Sequence, residues 1–123
     1  MTRLEMQTEH LELRRLRPWL DEAAFDLGPT FVGRIELCVH ELAANVVDHS
    51  GAPTLSLELT RTPNRISIEL TDDGAPFRHP RPEQVEPHPR VHGYGILIAE
   101  HLADELIYER RRSTNIWHIE FSC

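Results

Sequence analysis

Residues Glu41 to His49 read Glu-Leu-Ala-Ala-Asn-Val-Val-Asp-His, and the pattern of this stretch predicts more about the protein than any other. As a helix, it places Glu41 and Asn45 on one face with either Asp48 or His49, because positions three and four apart are neighbours. The apolar side chains lie on the other faces and can be buried: Leu42, Ala43, Val46 and Val47. A carboxylate and a carboxamide one turn apart can hold a hydrated divalent cation with a base beside it. The plainer alternative is that both residues simply face water.

The composition indicates an ordinary globular protein. Of the 123 residues, 40% are hydrophobic and 27% are charged, so we expect one folded domain over residues 1–123. The formal net charge of -7, from 13 basic and 20 acidic side chains, argues against a nucleic-acid-binding surface. It is compatible with a protein that recruits Mg²⁺ or that meets a basic protein partner.

The cysteines and the apolar runs predict the compartment. Cys38 lies inside the central helical pattern and Cys123 is the last residue, so the two offer no disulfide framework. No apolar run approaches the length that spans a membrane. We therefore expect a soluble, cytoplasmic protein that contacts neither membrane nor nucleic acid.

Hydrophobic periodicity predicts the order strand, helix, helix, two strands, long loop, helix, two strands. The strands are expected at 3–7, 54–60, 65–71, 106–109 and 116–121, and the helices at about 8–26, 30–50 and 93–102. We expect Pro18 to kink or split the first helix and Thr30 to cap the second. Because two of the connections are hairpins, the mixed sheet should be mostly antiparallel. With three helices on one face, the fold class is α/β, a two-layer α+β sandwich.

Two further motifs flank the predicted long loop. The segment Asp72-Asp73-Gly74-Ala75-Pro76-Phe77 stands where a strand ends, and it is either a simple turn or a place where a carboxylate meets an adenine amino group. The segment Gly93-Tyr94-Gly95-Ile96 opens the third helix, where free backbone N–H groups form a natural phosphate site. The basic cluster from Arg110 to Arg112, at a hairpin turn, is more typical of a solvated tip.

A zinc site is a further alternative for the central helix. The pair His40-Glu41 matches the beginning of the zinc-protease pattern HExxH. The second histidine of that pattern is replaced by Ala44, so the site lacks a ligand and this alternative fails.

The three motifs, in this order and at these spacings, resemble those of the GHKL (Bergerat-fold) ATPases. Within that group the chain looks like the anti-sigma-factor serine/threonine kinases of the RsbW and SpoIIAB type. The stretch 41–49 matches their N box, 72–77 matches their G1 box in its DxGxPF form, and 93–105 matches their G2 box with the following helix. The resemblance covers nearly the whole chain and implies a Bergerat ATP-binding fold.

The resemblance also implies a role for each motif. Asn45 would coordinate Mg²⁺ on the ATP phosphates, and Glu41 would be the catalytic base for an acceptor hydroxyl. Asp72 would bind the adenine amino group, and residues 78–92 would form the ATP lid. The implied nucleotide contacts are Asn45, His49, Asp72, Gly74, Pro76, Phe77, Arg90, Gly93, Tyr94, Gly95, Ile96 and Asn115. Asp48 adds a carboxylate near the metal, which either tunes Mg²⁺ affinity or faces solvent.

Three functions follow from the resemblance. The first is an anti-sigma factor that uses Mg-ATP to phosphorylate a serine or threonine of an anti-anti-sigma (STAS) partner, and that also binds a sigma factor. The second is a non-catalytic switch of the same fold, in which ATP sets the affinity for a protein partner. The third is a histidine kinase catalytic domain acting in trans, which we rank last because the sequence holds no phosphoacceptor helix pair. Relatives are commonly homodimers, so a homodimer is expected.

Overall fold

The computed structural model describes residues 2–77 and 95–123. Its strands are β1 (Thr2–Gln7), β2 (Thr54–Thr62), β3 (Arg65–Asp72), β4 (Glu105–Arg111) and β5 (Thr114–Ser122). Its α-helices are α1 (Leu16–Ala24), α2 (Pro29–His49) and α3 (Gly95–Leu102). Two short 3₁₀ segments, His10–Arg15 and Phe25–Leu27, flank α1.

The five strands form one sheet in the order β1-β2-β3-β5-β4, and every neighbouring pair is antiparallel. The pairs β2–β3 and β4–β5 are the two hairpins that the sequence predicts. The α/β two-layer sandwich is therefore confirmed, with one refinement. The described strands pair in antiparallel fashion throughout, whereas the sequence suggested a mixed sheet.

One face of the sheet packs against the helices. The register sets Leu57 opposite Leu70 and Ile68 opposite Ile119, so the apolar residues of neighbouring strands share that face. They form one buried cluster with the inner sides of all three helices. The opposite face carries polar side chains and ion pairs, as expected for an antiparallel sheet with one wet side. The site described below lies on the helix side.

The first helical segment is split, as predicted, although not at Pro18. A 3₁₀ turn ends at Arg15 and α1 begins at Leu16. Pro18 is then the third residue of α1, where a backbone N–H would have no intrahelical partner in any case. The proline therefore marks the beginning of the helix and does not kink it.

The predicted cap of the second helix is wrong. Helix α2 begins at Pro29, after Gly28 with a φ of 90°, and no side chain caps its first turn. Proline is favoured at the first helical position because its φ is already helical and its missing N–H costs no hydrogen bond. Thr30 consequently lies inside the helix.

The predicted ATP lid, residues 78–92, lies outside the described residues, as do Arg90, Gly93 and Tyr94. The described part of α3 begins at Gly95. None of the helices within residues 2–77 and 95–123 is long and apolar enough to cross a membrane.

Candidate nucleotide site

Helix α2 carries the polar side chains of the site on the flank that turns away from the core. Its inner face is fully buried through residues such as Cys38 and Leu42, whereas Glu41 and Asn45 are half-buried. They border a cavity of about 200 Å³. The residues that line it are His10, His40, Glu41, Ala44, Asn45, Asp48, His49 and Gly95. The helical spacing thus brings Glu41, Asn45 and both Asp48 and His49 to one cavity.

The side chains of Glu41 and Asn45 make no hydrogen bond to any of the described residues. Half-buried polar groups normally have a hydrogen-bond partner in the protein or in water. A carboxylate and an amide that border one cavity, with no partner in the described parts of the chain, are available to bind a ligand. A ligand site requires polar groups that are available in this way, whereas polar groups that stabilise a fold are bonded to one another.

Gly95, at the beginning of α3, forms the opposite wall beside Glu41. A Cβ atom at position 95 would lie 2.7 Å from the Oε2 atom of Glu41, which is closer than such atoms come in real structures. Any larger residue would therefore displace the Glu41 carboxylate. The glycine of this motif has a local function that the sequence alone does not show, because the contact depends on how α3 packs on α2.

A second polar cluster lies at the end of β3. Asp72 and Asn115 stand directly opposite each other on β3 and β5, and only 5% and 2% of their surfaces are exposed. The Nδ2 atom of Asn115 donates to Asp72 Oδ1 at 3.1 Å and to the carbonyl oxygens of Gly74 and Ala75 at 3.3 and 2.9 Å. The Gly74 N–H also donates to Asp72 Oδ1, at 2.9 Å. These bonds fix the turn that follows β3.

The acceptor end of the Asn115 side chain is also occupied. Its Oδ1 atom accepts hydrogen bonds from the Tyr108 hydroxyl and from Arg110 Nη1, the latter at 2.8 Å. The same Arg110 atom donates to the Gly74 carbonyl at 3.0 Å, and the Phe77 N–H donates to the Tyr108 hydroxyl at 3.0 Å. Arg110 is exposed at the end of the β4–β5 hairpin, as the sequence suggested, and its guanidinium also braces the turn after β3.

Aromatic packing supports this cluster. The Phe77 ring meets the rings of Tyr108 and Trp117 edge-on, at centroid distances of 5.6 and 5.0 Å. Such pairs add to the burial free energy of the rings. Sequence reasoning missed the roles of Tyr108 and Arg110, although their alternation along β4 could have shown that both share the face of Asn115.

The two polar clusters meet at the C-terminal end of α2. The Ala75 N–H donates to the carbonyl oxygen of Ser50 at 2.6 Å, and a Cβ atom on Gly74 would lie 2.6 Å from Ser50 Oγ. Glycine is required at position 74 by this close approach. From Glu41 to Ser50 the helix rises about 14 Å, so the two clusters together could accommodate an extended nucleoside triphosphate.

The interface between α2 and α3, behind Glu41, contains a buried thiol. Cys38 is fully buried and its Sγ atom contacts the Ala99 carbonyl oxygen at 3.6 Å. Burial raises the pKa of the Cys38 thiol from 9.0 to about 12, against a smaller opposing effect of the Arg34 charge. The thiol is therefore neutral at physiological pH and acts as a small apolar side chain.

The sequence of the chain also matches a known protein family. Residues 6–119 match the model of the histidine kinase-like ATPase domain. The chain belongs to this family. It is an ATP-binding, histidine kinase-like ATPase domain, and the GHKL fold implied by the sequence motifs is confirmed. No curated protein matches the domain significantly in sequence.

Solved structures similar to this ATPase domain share its fold at low sequence identity. The RsbU and RsbW domains of Rv1364c from Mycobacterium tuberculosis match with a TM-score of 0.64 and 15% identity, over 98% of this chain and 32% of that one. Histidine kinase AdeS of Acinetobacter baumannii matches with a TM-score of 0.59 and 15% identity, over 99% of this chain and 68% of that one. The catalytic domain of histidine kinase ThkA matches with a TM-score of 0.54 and 13% identity, over 99% of this chain and 97% of that one. The domain thus spans only 32% of the Rv1364c chain.

The structure brings six of the predicted nucleotide contacts, together with the predicted catalytic residue Glu41, into these two clusters. Glu41, Asn45, His49 and Gly95 line the cavity, and Asp72, Gly74 and Asn115 form the turn cluster. Three others lie nearby: Pro76 is exposed, Phe77 is packed on the aromatic rings, and Ile96 is buried in the core. The contacts of all these residues with ATP stay predictions.

Asn45 fits the chemistry of a magnesium ligand. The residue lines the cavity, and its side chain has no hydrogen-bond partner among the described residues. No group of three His, Cys, Asp or Glu side chains comes together as a metal site in the described parts of the chain. An amide oxygen suits Mg²⁺, which proteins bind through one or two oxygen ligands together with water and substrate phosphates.

Proposed function

We propose that this ATPase domain is a protein serine/threonine kinase that uses Mg-ATP to phosphorylate an anti-anti-sigma (STAS) partner. The observation that carries the proposal is the pair Glu41 and Asn45, one turn apart on α2 and bordering one cavity, with no hydrogen bond from either side chain to a residue that the structure describes. A domain that only bound ATP would need Asn45 but not the carboxylate. Glu41 is therefore the residue that favours phosphotransfer over passive binding.

The roles of the residues follow from their chemistry. Asn45 would hold Mg²⁺ through its side-chain oxygen, and the bound ion would neutralise part of the charge of the ATP phosphates. Glu41 accepts the proton of the acceptor hydroxyl as that oxygen attacks the γ-phosphorus and the bond to the β-phosphate oxygen breaks. Gly95 leaves the space in which the Glu41 carboxylate lies.

The base would bind at the turn cluster. Within residues 2–77 and 95–123, the Oδ2 atom of Asp72 makes no hydrogen bond, since the bonds to Gly74 and Asn115 both use Oδ1. A free carboxylate oxygen can accept a hydrogen bond from the adenine amino group. Both the oxygen and the nitrogen of the Asn115 side chain are bonded to protein groups. We therefore give Asn115 the role of holding Asp72 in position.

The partners are the finer part of the proposal. The G1 and N boxes resemble those of the RsbW and SpoIIAB kinases, and one structurally similar chain contains an RsbW domain. We infer from these likenesses that the domain also binds a sigma factor, acts in the cytoplasm and forms a homodimer. The acidic net charge of -7 suits a basic partner surface.

The decisive experiment is transfer of labelled γ-phosphate from ATP to a STAS protein. We expect Glu41→Ala to lower the rate at least about a hundredfold, a typical contribution of a general base, while ATP affinity changes less than about threefold. The matched control is Glu22→Ala, which removes an exposed carboxylate from α1. Equal rates for the wild type and Glu41→Ala would show that the catalytic assignment is wrong. ATP binding without transfer would identify the non-catalytic switch.

A further inference from the structure

His10 reaches the nucleotide cavity from a different part of the chain. It lies at the beginning of the 3₁₀ segment after β1, 38 residues away from Asp48. Its Nε2 atom nevertheless lies 2.7 Å from the Asp48 Oδ1 atom, and both side chains line the cavity with Glu41 and Asn45. No sequence spacing predicts this pair.

The position of Asp48 is electrostatically unfavourable for a triphosphate. It is the last residue but one of α2, where the helix dipole already carries partial negative charge. It is also three positions after Asn45, on the same side of the helix. Among the described residues that line the cavity there are two carboxylates, Glu41 and Asp48, and neither Lys nor Arg. An unpartnered carboxylate at this position would repel the phosphates.

We propose that His10 is a positioning residue of the nucleotide site, which holds the Asp48 carboxylate in a hydrogen bond and so reduces its repulsion of the ATP phosphates. The inference rests on the proposed binding of the triphosphate beside Asn45. The imidazole N–H donates to Asp48 in the neutral ring as well as in the charged one, so the effect does not depend on one protonation state. A purely structural tie between the 3₁₀ segment and α2 is the competing explanation.

The size of the effect follows from the exposure of the pair. The side chains of His10 and Asp48 are 61% and 31% exposed, so water screens their interaction. We expect His10→Ala to weaken Mg-ATP binding about fivefold, the upper end for a partly exposed polar pair that water screens. Adenosine, which has no phosphates, should bind to the variant as it does to the wild type. Salt should reduce the difference for ATP.

The test is titration calorimetry of the whole chain with Mg-ATP and with adenosine. The wild type is compared with His10→Ala, His10→Gln, Asp48→Asn and the double variant His10→Ala/Asp48→Asn. In the double variant the carboxylate charge is gone, so ATP affinity should return to within about twofold of the wild type. His10→Gln keeps a donor and should lose less affinity than His10→Ala.

The outcomes separate the explanations. Loss of ATP affinity that spares adenosine and is restored by Asp48→Asn supports the proposal. Equal weakening of ATP and adenosine, or no recovery in the double variant, shows a structural tie and overturns it. Unchanged ATP binding by His10→Ala also overturns it. If the wild type itself does not bind Mg-ATP, the proposed function fails together with this inference.

Discussion

The two ends of the proposed nucleotide site are built in opposite ways, and we name them the base end and the phosphate end after the parts of ATP that we propose they bind. At the base end, Asp72 and Asn115 are buried, and the asparagine side chain is hydrogen-bonded to protein atoms at both ends. At the phosphate end, Glu41 and Asn45 are half-buried and make no hydrogen bond to the described residues. The base end is largely hydrogen-bonded without a ligand and leaves Asp72 Oδ2 available, whereas both polar side chains of the phosphate end are available.

This difference teaches where stability and function lie. Buried polar groups that hydrogen-bond to one another make a fold rigid. Removing one of them leaves its partner unsatisfied, which costs much of the free energy of unfolding. Half-buried groups without protein partners contribute little to stability and are available for binding. Substitutions at the base end should therefore act on unfolding, and those at the phosphate end on ligand binding and catalysis.

The largest expected effect is at the base end. Asn115→Ala removes the partner of the Tyr108 hydroxyl, of the Arg110 guanidinium and of two carbonyl oxygens. We expect the free energy of unfolding to fall by about 3 kcal/mol, because buried groups are left without hydrogen bonds. Urea denaturation without nucleotide measures this. A loss below about 1 kcal/mol would show that the base end is not the rigid one.

The reciprocal variant at the phosphate end is Asn45→Ala. We expect Mg-ATP binding to weaken by about 2 kcal/mol, or roughly thirtyfold, since a ligand to a charged group is lost. The free energy of unfolding without nucleotide should stay within about 0.5 kcal/mol of the wild type. Calorimetry with EDTA present is the control, because the wild type and the variant should then bind ATP alike. A difference that persists in EDTA would contradict the magnesium role of Asn45.

A smaller effect is expected from Gly95→Ala. The new Cβ atom would approach Glu41 Oε2 to 2.7 Å, so the carboxylate must shift. We expect phosphotransfer to fall about tenfold, because small misplacement of a catalytic group is costly. The matched control is Gly33→Ala in α2, where the nearest atom to the new Cβ would be Arg17 Nη1 at 3.9 Å. Transfer should be unaffected in that variant, and equal effects of the two substitutions would show that Gly95 serves the helix alone.

The two ends also differ in how well the sequence predicts them. The phosphate end is local, because helical spacing within α2 brings Glu41 and Asn45 to one face. The network around Asn115 joins three strands and the turn after β3, and a single sequence does not show which strands are neighbours. The bond between His10 and Asp48 spans 38 residues for the same reason. The sheet itself was predictable because alternation of apolar residues marks its strands.

The smallest expected effect concerns Cys38, at the interface behind Glu41, where we expect Mg-ATP to cause no change in thiol labelling. Because burial raises the pKa of Cys38 to about 12, its thiol should resist alkylation in the folded protein, while the exposed Cys123 reacts. The direction of this pKa shift also sets the pH range in which the Cys38 thiol stabilises the fold. A thiol whose pKa is raised by folding stabilises the fold below the unfolded pKa, and this contribution is lost as the pH rises toward 12.

Mass spectrometry after alkylation at pH 7 to 8, with and without Mg-ATP, makes the measurement. We expect one modified site, Cys123, under both conditions, and two sites after unfolding in urea. Because Cys38 lies one turn before Glu41 on α2, ATP-dependent labelling of Cys38 would show that α3 separates from α2 when nucleotide binds. That result would contradict the view that the phosphate end rests on a fixed frame and differs from the base end only in its free polar groups.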